Sequence, residues 1–277
     1  MSALDAGGGR QSQTATDYTI DELMVSTLAR RFENGDQVVN GAASFIPACA
    51  FALARLTHAP ELVWVAGGVG LDARPRRIPA STLEAPLWHR SSMYMAAEDF
   101  WPYALNGRWL TKFCVRGAQI DQYGNANNSV IGPEYDAPVV RLPGSAGLGD
   151  MGSIGKRLLY WTTTHDPRTL VPKVDFVSCA GWLDGGDARR HAGLAGGPEL
   201  VVTNLCVADF HPDSKRMRLI SVHPGVTVSD VLESTGFELL VEGEIARTEP
   251  PTAEEVRLIR EQIDPGGARL REFGPGS

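Results

Sequence analysis

Leu110-Thr111-Lys112-Phe113-Cys114-Val115-Arg116-Gly117-Ala118-Gln119-Ile120-Asp121-Gln122-Tyr123-Gly124-Asn125-Ala126-Asn127 is the stretch that decides the architecture. Its first six residues have the composition of a buried strand. A polar segment follows at once. Gly124 and Asn125 both tolerate positive φ and mark a turn. Polar groups at a strand end line a ligand crevice in many α/β sheets. They can equally brace a loop by hydrogen bonds, and spacing alone leaves both readings open.

The pattern repeats outward from this stretch. Short apolar runs broken by Gly and Pro predict strands at 37–40, 61–65, 139–142, 157–163, 174–177 and 199–203, with a helix over 46–56. Thr19 with Glu22 forms a capping box, and Ile20, Met24, Leu28 and Phe32 make one apolar stripe, so a helix is expected from Thr19 to about Asn34-Gly35. Thr252 and Glu255 repeat the box before Val256, Ile259 and Ile263, and Pro265-Gly266 stops that helix. Alternating strands and helices predict an α/β fold, an open sheet with flanking helices. Residues 1–16 are rich in Gly, Ser, Gln and Thr and are expected to form a disordered arm, with 17–277 as a single domain.

The chain has 277 residues and a formal net charge of -7, which opposes binding to nucleic acid or anionic membranes. No apolar run reaches the ~20 residues of a membrane span, and no basic-then-apolar leader opens the sequence. Cys49, Cys114, Cys179 and Cys206 are scattered and read as buried thiols of a reducing cytoplasm. The histidines are scattered too, so no metal site is expected.

Three further segments could carry chemistry. In Pro143-Gly144-Ser145-Ala146-Gly147-Leu148-Gly149-Asp150-Met151-Gly152, glycines let backbone N–H groups approach an anion or oxyanion. Gly147, Gly149 and Gly152 satisfy GxGxxG, but a strand rather than a helix is expected next, which argues against a dinucleotide site. Asp184 and Asp187 are a carboxylate pair or two surface turn residues. His223, before Pro224-Gly225, is catalytic or merely braces the turn.

Taken in order, these segments resemble the beta subunit of glutaconate CoA-transferase and its relatives, from about Thr19 to Phe273. The resemblance rests on residues 117–121 with Tyr123, Gly124, Asn125 and Asn127, on 144–147, 181–185 and 198–203, on His223-Pro224-Gly225, and on 232–237 and 258–265. It implies a NagB/RpiA/CoA-transferase-like fold, an alpha-type partner in an α2β2 assembly, and an acyl-CoA thioester as substrate with no permanently bound cofactor. The family's transferases attack the thioester with a beta-subunit glutamate placed just after an apolar strand. Here that strand is Leu62-Val63-Trp64-Val65, and the turn after it reads Ala66-Gly67-Gly68-Val69-Gly70-Leu71-Asp72, with Ala66 or Gly67 where the glutamate is expected. Glu33-Asn34-Gly35 copies the Glu-Asn-Gly of some transferases but precedes the first strand. The resemblance therefore points to the ring-cleaving CoA hydrolases of steroid catabolism, whose base lies on the alpha subunit. A transferase with a displaced carboxylate and a non-catalytic scaffold subunit are the alternatives. It places Gly144, Ser145, Ala146 and Gly147 against CoA or an oxyanion, with Gln119, Asn125 and Asn127 bracing the crevice. Arg74 is a candidate for an acyl carboxylate, and Lys156 and Arg157 for CoA phosphates.

Overall fold

The computed structural model describes residues 13–67, 69–106 and 109–274. Eight strands form the main sheet: β1 Gln37–Val39, β2 Val63–Val65, β3 Lys112–Val115, β4 Arg157–Trp161, β5 Gly197–Val202, β6 Cys206–Phe210, β7 Met217–Val222 and β8 Leu240–Arg247. Their order is β8-β7-β6-β5-β4-β3-β1-β2. From β2 to β5 every pairing is parallel, with Gln37 opposite Val63, Val38 opposite Lys112, and Arg157 opposite both Lys112 and Gly197. β6 is antiparallel to both neighbours, and β8 runs parallel to β7. The expected open α/β sheet with flanking helices is what forms.

Strand side chains alternate between two cores, as a period of two requires. Val38, Trp64, Leu159, Trp161 and Val202 pack under α1 (Ile20–Ala29) and α2 (Phe45–Thr57). Val39, Val65, Phe113, Tyr160 and Val201 pack on the other face with Met151 of α3 (Leu148–Ile154). Burial on both faces explains why these strands read as continuous apolar runs. Behind α1 lies a buried ion cluster. Arg269 donates to Asp21 at 2.5 Å, to Glu22 at 3.2 Å and to Asp264 at 3.1 Å, which ties the end of the described chain to its first helix.

Several expectations change. Helix α1 starts at the predicted Thr19 box but ends at Ala29, five residues before Asn34. Side chains take the carbonyls at and just past its end: His58 Nε2 sits 3.1 Å from Ala29 O and 3.0 Å from Phe32 O, and Lys112 Nζ donates to Arg31 O at 2.6 Å. The 174–177 run is not a strand; Val174 is buried while Phe176 stacks on Tyr135. Residues 148–152 are helical rather than loop. Gly152 allows that helix to lie on the backbone, because a Cβ there would meet Ala180 N at 2.4 Å. This two-turn helix contains Gly149 and Gly152 and leads straight into β4, unlike a dinucleotide fingerprint. The second capping box holds at Thr252, and α4 (Ala253–Arg257) continues as a π-helix over Leu258–Ile263. Of the arm, residues 1–12 lie outside the described residues. Residues 13–15 pair with the α4 cap: Ala15 N donates to Pro251 O and Ala253 N to Gln13 O.

Candidate functional site

The parallel strands end together, and their carboxyl edge carries the polar groups. At the end of β1, Asn40 Oδ1 accepts Trp64 Nε1 at 2.9 Å and Gly67 N at 3.3 Å. At the end of β2, Ala66 and Gly70 exchange both backbone hydrogen bonds, at 2.9 and 3.1 Å, closing a tight turn. Ala66 is fully buried. Gly67 has φ +60°, and a Cβ on it would meet the Trp88 ring at 3.0 Å.

At the end of β3, the Arg116 guanidinium lies 5.0 Å from the Trp161 ring centroid and pairs with Glu272. Glu272 Oε1 accepts the first N–H of α2, Phe45 N, at 2.9 Å. Burial pushes the Glu272 carboxyl up, and the Phe45 and Arg116 donors pull against that. Asn128 joins this strand end to the glycine segment. Its amide donates to Arg116 O and its carbonyl oxygen Oδ1 accepts Ala118 N, each at 2.8 Å, while its backbone O accepts Gly144 N at 2.8 Å.

The segment so held keeps three donors free. The N–H groups of Ser145, Ala146 and Gly147 make no hydrogen bond among the described residues. Gly144 has φ +110° and Ala146 φ +44°, so the backbone curls into the kind of concavity that binds anions. Space is open at Gly144, where an added Cβ would have no atom within 4 Å.

Gln119, Asn125 and Asn127 spend their amides on loops. Asn125 is buried and bonds Asp121, Leu183 O, Gly181 N and Leu183 N. Asn127 bonds Gln119 Oε1 at 2.7 Å and Val130 O at 2.6 Å, and Gln119 donates to Asp175 at 3.1 Å. Bracing is therefore the geometry that this polar segment adopts.

Other candidates lie apart from the edge. Glu33, Lys156 and Arg157 sit at the opposite, amino edge; Glu33 is 3.9 Å from Lys112 and Arg157 pairs with Glu199. Arg74 bonds Asp72 at 3.1 Å and lines a separate pocket beside α2. Asp184 and Asp187 are exposed, and Asp187 pairs with Arg190 at 2.7 Å. His223 is buried, donates from Nε2 to Thr203 O at 2.8 Å, and has Nδ1 2.9 Å from Thr248 Oγ1. Burial lowers its pKa, so it stays neutral and braces.

Three residues escaped the sequence reading. Arg116 carried a signal, a lone charge closing an apolar strand. Glu272, far along the chain, carried none. Arg189 is buried, and it donates to Gly152 O, Ala180 O, Gly181 O, Ala195 O and Gly196 O at 2.6 to 3.2 Å. It ties α3 to the loop around Gly181. Among the described residues no helix is long and apolar enough to cross a membrane.

Comparison with known proteins places this architecture. The chain is 33% identical over 245 residues to the beta subunit of 3-oxoadipate CoA-transferase of Pseudomonas knackmussii, covering 88% of this chain and 92% of that one. It is 32% identical to the beta subunit of glutaconate CoA-transferase of Acidaminococcus fermentans (92% and 96% covered) and 32% identical to the cholesterol ring-cleaving hydrolase IpdB subunit of Rhodococcus jostii (94% and 98%). The crystal structure of the A. fermentans glutaconate enzyme superposes with TM-score 0.84 at 31% identity, covering 92% of this chain and 98% of that one. The decarboxylase AibA/AibB gives 0.81 at 28% identity (93% and 100%), and R. jostii IpdAB gives 0.77 at 30% (93% and 99%). The coenzyme A transferase family matches residues 22–234, and the chain belongs to that family.

Proposed function

We propose that the chain is the beta-type subunit of a heteromeric enzyme acting on an acyl-CoA thioester, paired with an alpha-type subunit in an α2β2 assembly, and that it carries no transferase nucleophile. One observation carries this reading: Ala66 and Gly67, where the transferase glutamate is expected, are small residues in a closely packed turn. Residue 66 is fully buried, and residue 67 adopts a left-handed backbone beneath Trp88. Neither alanine nor glycine can form the acyl anhydride or thioester of a transferase.

The reaction that fits is hydrolysis of a carbon–carbon bond in a CoA thioester of a degraded steroid ring. A base on the alpha-type subunit takes a proton from water. The hydroxide adds to a ring carbonyl, the bond to the neighbouring carbon breaks, and the electron pair is accepted as an enolate that water reprotonates. This chain's part is to hold developing negative charge with the free N–H groups of residues 145–147 and to wall the crevice with the braced 119–127 segment. The 32% identity to the ring-cleaving hydrolase subunit supports this reading. The decarboxylase AibA/AibB, at TM-score 0.81, supports a second reading: another non-transferase reaction of an acyl-CoA.

The test uses the complex with its alpha-type partner. Incubation with acyl-CoA, acetate and borohydride, followed by mass spectrometry of this chain, should show no reduced glutamate, while a family transferase run alongside does. A reduced glutamate here would make the enzyme a transferase with a displaced carboxylate.

A further inference from the structure

Residues 128–144 form one hairpin whose two ends differ. At its base, Val130 stands opposite Arg141 and Ile131 opposite Val140. The pairing continues through Leu142 N to Ser129 O at 3.0 Å and Gly144 N to Asn128 O at 2.8 Å, and so runs straight into the three free donors of residues 145–147. At its tip, the loop over residues 132–139 exposes apolar side chains instead of covering them.

Those side chains form one patch with the neighbouring segment 175–177. The Tyr135 and Phe176 rings lie 5.3 Å apart. Asp175, next to Phe176, accepts Gly132 N at 3.0 Å. Val139 lies against Gly132, where an added Cβ would meet Val139 N at 2.9 Å and its Cγ2 at 3.0 Å. Val139 is 78% exposed, Tyr135 51%, Val177 46% and Phe176 37%. The Arg141 guanidinium lies 4.9 Å from the Tyr135 ring centroid and donates to Tyr135 O at 2.9 Å, and it has no ion pair among the described residues.

Single exposed apolar residues are ordinary, whereas a joined patch marks a contact surface. Aromatic rings and arginine are the groups that interface centres concentrate. The loop is also preorganised. Pro133 and Pro138 fix φ at two of its eight positions, and Gly132 takes φ +116°, which suits glycine. The ring contact and the Asp175 bond hold what remains, so docking costs little further entropy.

Position selects the occupant. The donors at the hairpin base hold negative charge but supply no base, and the chemistry proposed above takes its base from the alpha-type subunit. That subunit has to reach residues 145–147. The six residues from Val139 to Ser145 span at most about 20 Å of extended chain. A standard interface covers about 800 Å2 on each partner, roughly 30 Å across, so one partner surface spans both patch and donors. We propose that the patch of Tyr135, Val139, Phe176 and Val177 is a docking surface for the alpha-type subunit, which meets it with apolar side chains and a carboxylate for Arg141. The proposal rests on the heteromeric reading of function above. Docking on the tip fixes the hairpin that carries the donors, and so sets them relative to the partner's base.

The experiment places the photo-cross-linking residue p-benzoylphenylalanine at position 135 of the full chain, co-expressed with the alpha-type partner. An aromatic residue replaces an exposed aromatic there, so the fold is kept. Irradiation and mass spectrometry should show this chain joined to the alpha-type subunit. A Tyr135→Ser/Phe176→Ser variant with unchanged circular dichroism should bind that subunit about tenfold or more weakly by sedimentation. Cross-links to a second copy of this chain, no cross-link in an intact complex, or unchanged affinity in the double variant each overturn the proposal. Cross-linking to the alpha-type subunit in a complex inactive on every acyl-CoA would sink the functional reading and leave the surface standing. Turnover of an acyl-CoA by a complex in which position 135 joins nothing would do the reverse.

Discussion

Acid should loosen this fold through His165. The ring is buried, with Nδ1 2.9 Å from the Thr203 hydroxyl and Nε2 2.9 Å from the Thr235 hydroxyl. Burial drives its pKa from 6.5 down to about 4; the Asp166 charge partly offsets this and His223 adds to it. In the folded chain the ring therefore takes no proton until about pH 4, whereas in the unfolded chain it takes one near 6.5. Its contribution to stability is complete above pH 6.5 and is lost as pH falls toward 4. At about 1.4 kcal/mol per pH unit the full loss is about 3 kcal/mol, and about 2 kcal/mol of it has gone by about pH 5. Asp121 and Glu272 work the other way, since burial raises both and their folded forms bind protons more readily. Comparison with His165→Gln cancels those contributions, because glutamine does not titrate. Between about pH 7.5 and 5.0, urea unfolding should show the parent losing about 2 kcal/mol more than the variant. Equal losses, or a His165 NMR resonance titrating near 6.5, would refute the argument.

Arg189→Met strips five carbonyls of their donor and should cost about 3–5 kcal/mol, seen as a fall in Tm on the order of 10 °C. Gly144→Val meets no atom but forces φ +110° on a β-branched residue, a strain of about 1–3 kcal/mol. It should abolish turnover by the complex while gel filtration shows assembly intact; surviving turnover would favour a scaffold role. Ala66→Glu buries an unpaired carboxylate and should destabilise the chain by about 3–5 kcal/mol. Borohydride should trap no thioester on the new glutamate.

The parts legible in the sequence were those whose cause is local. The Thr19–Glu22 and Thr252–Glu255 boxes fixed two helix starts, and apolar runs fixed β1 to β5 because strands buried on both faces need no polar alternation. The antiparallel side of the sheet was hidden. β6 and β7 carry the charges of Asp209 and Arg218, which pair across strands at 2.7 Å, and β8 is largely exposed and broken by Gly243 at φ +70°. The false strand at 174–177 shows the converse, since an apolar run can also cover a neighbour's ring. Of the site, the glycine segment and its bracing amides were visible as turn chemistry. The Arg116–Glu272 pair spans 156 residues and the Arg189 cluster depends on carbonyls from three separate segments, so neither had a local pattern to find.

The turn after β2 bears on how this chain relates to transferases of its family. Its small residues are not independent. Ala66 and Gly70 are bonded to each other in both directions, Trp88 covers Gly67, and a Cβ on Gly70 would stand 2.3 Å from Ser91 Oγ and 2.5 Å from Trp88 Cβ. Asn40 fixes the same turn from β1 by accepting Gly67 N. A nucleophilic carboxylate projected from this position would need Trp88 and Ser91 moved and the Ala66–Gly70 exchange opened. Several residues from two segments would have to change together. Ala66 is fully buried, and the backbone bonds to Gly70 hold it in the turn. At the carboxyl edge, three free N–H donors held through Asn128 to the end of β3 suit the binding of negative charge.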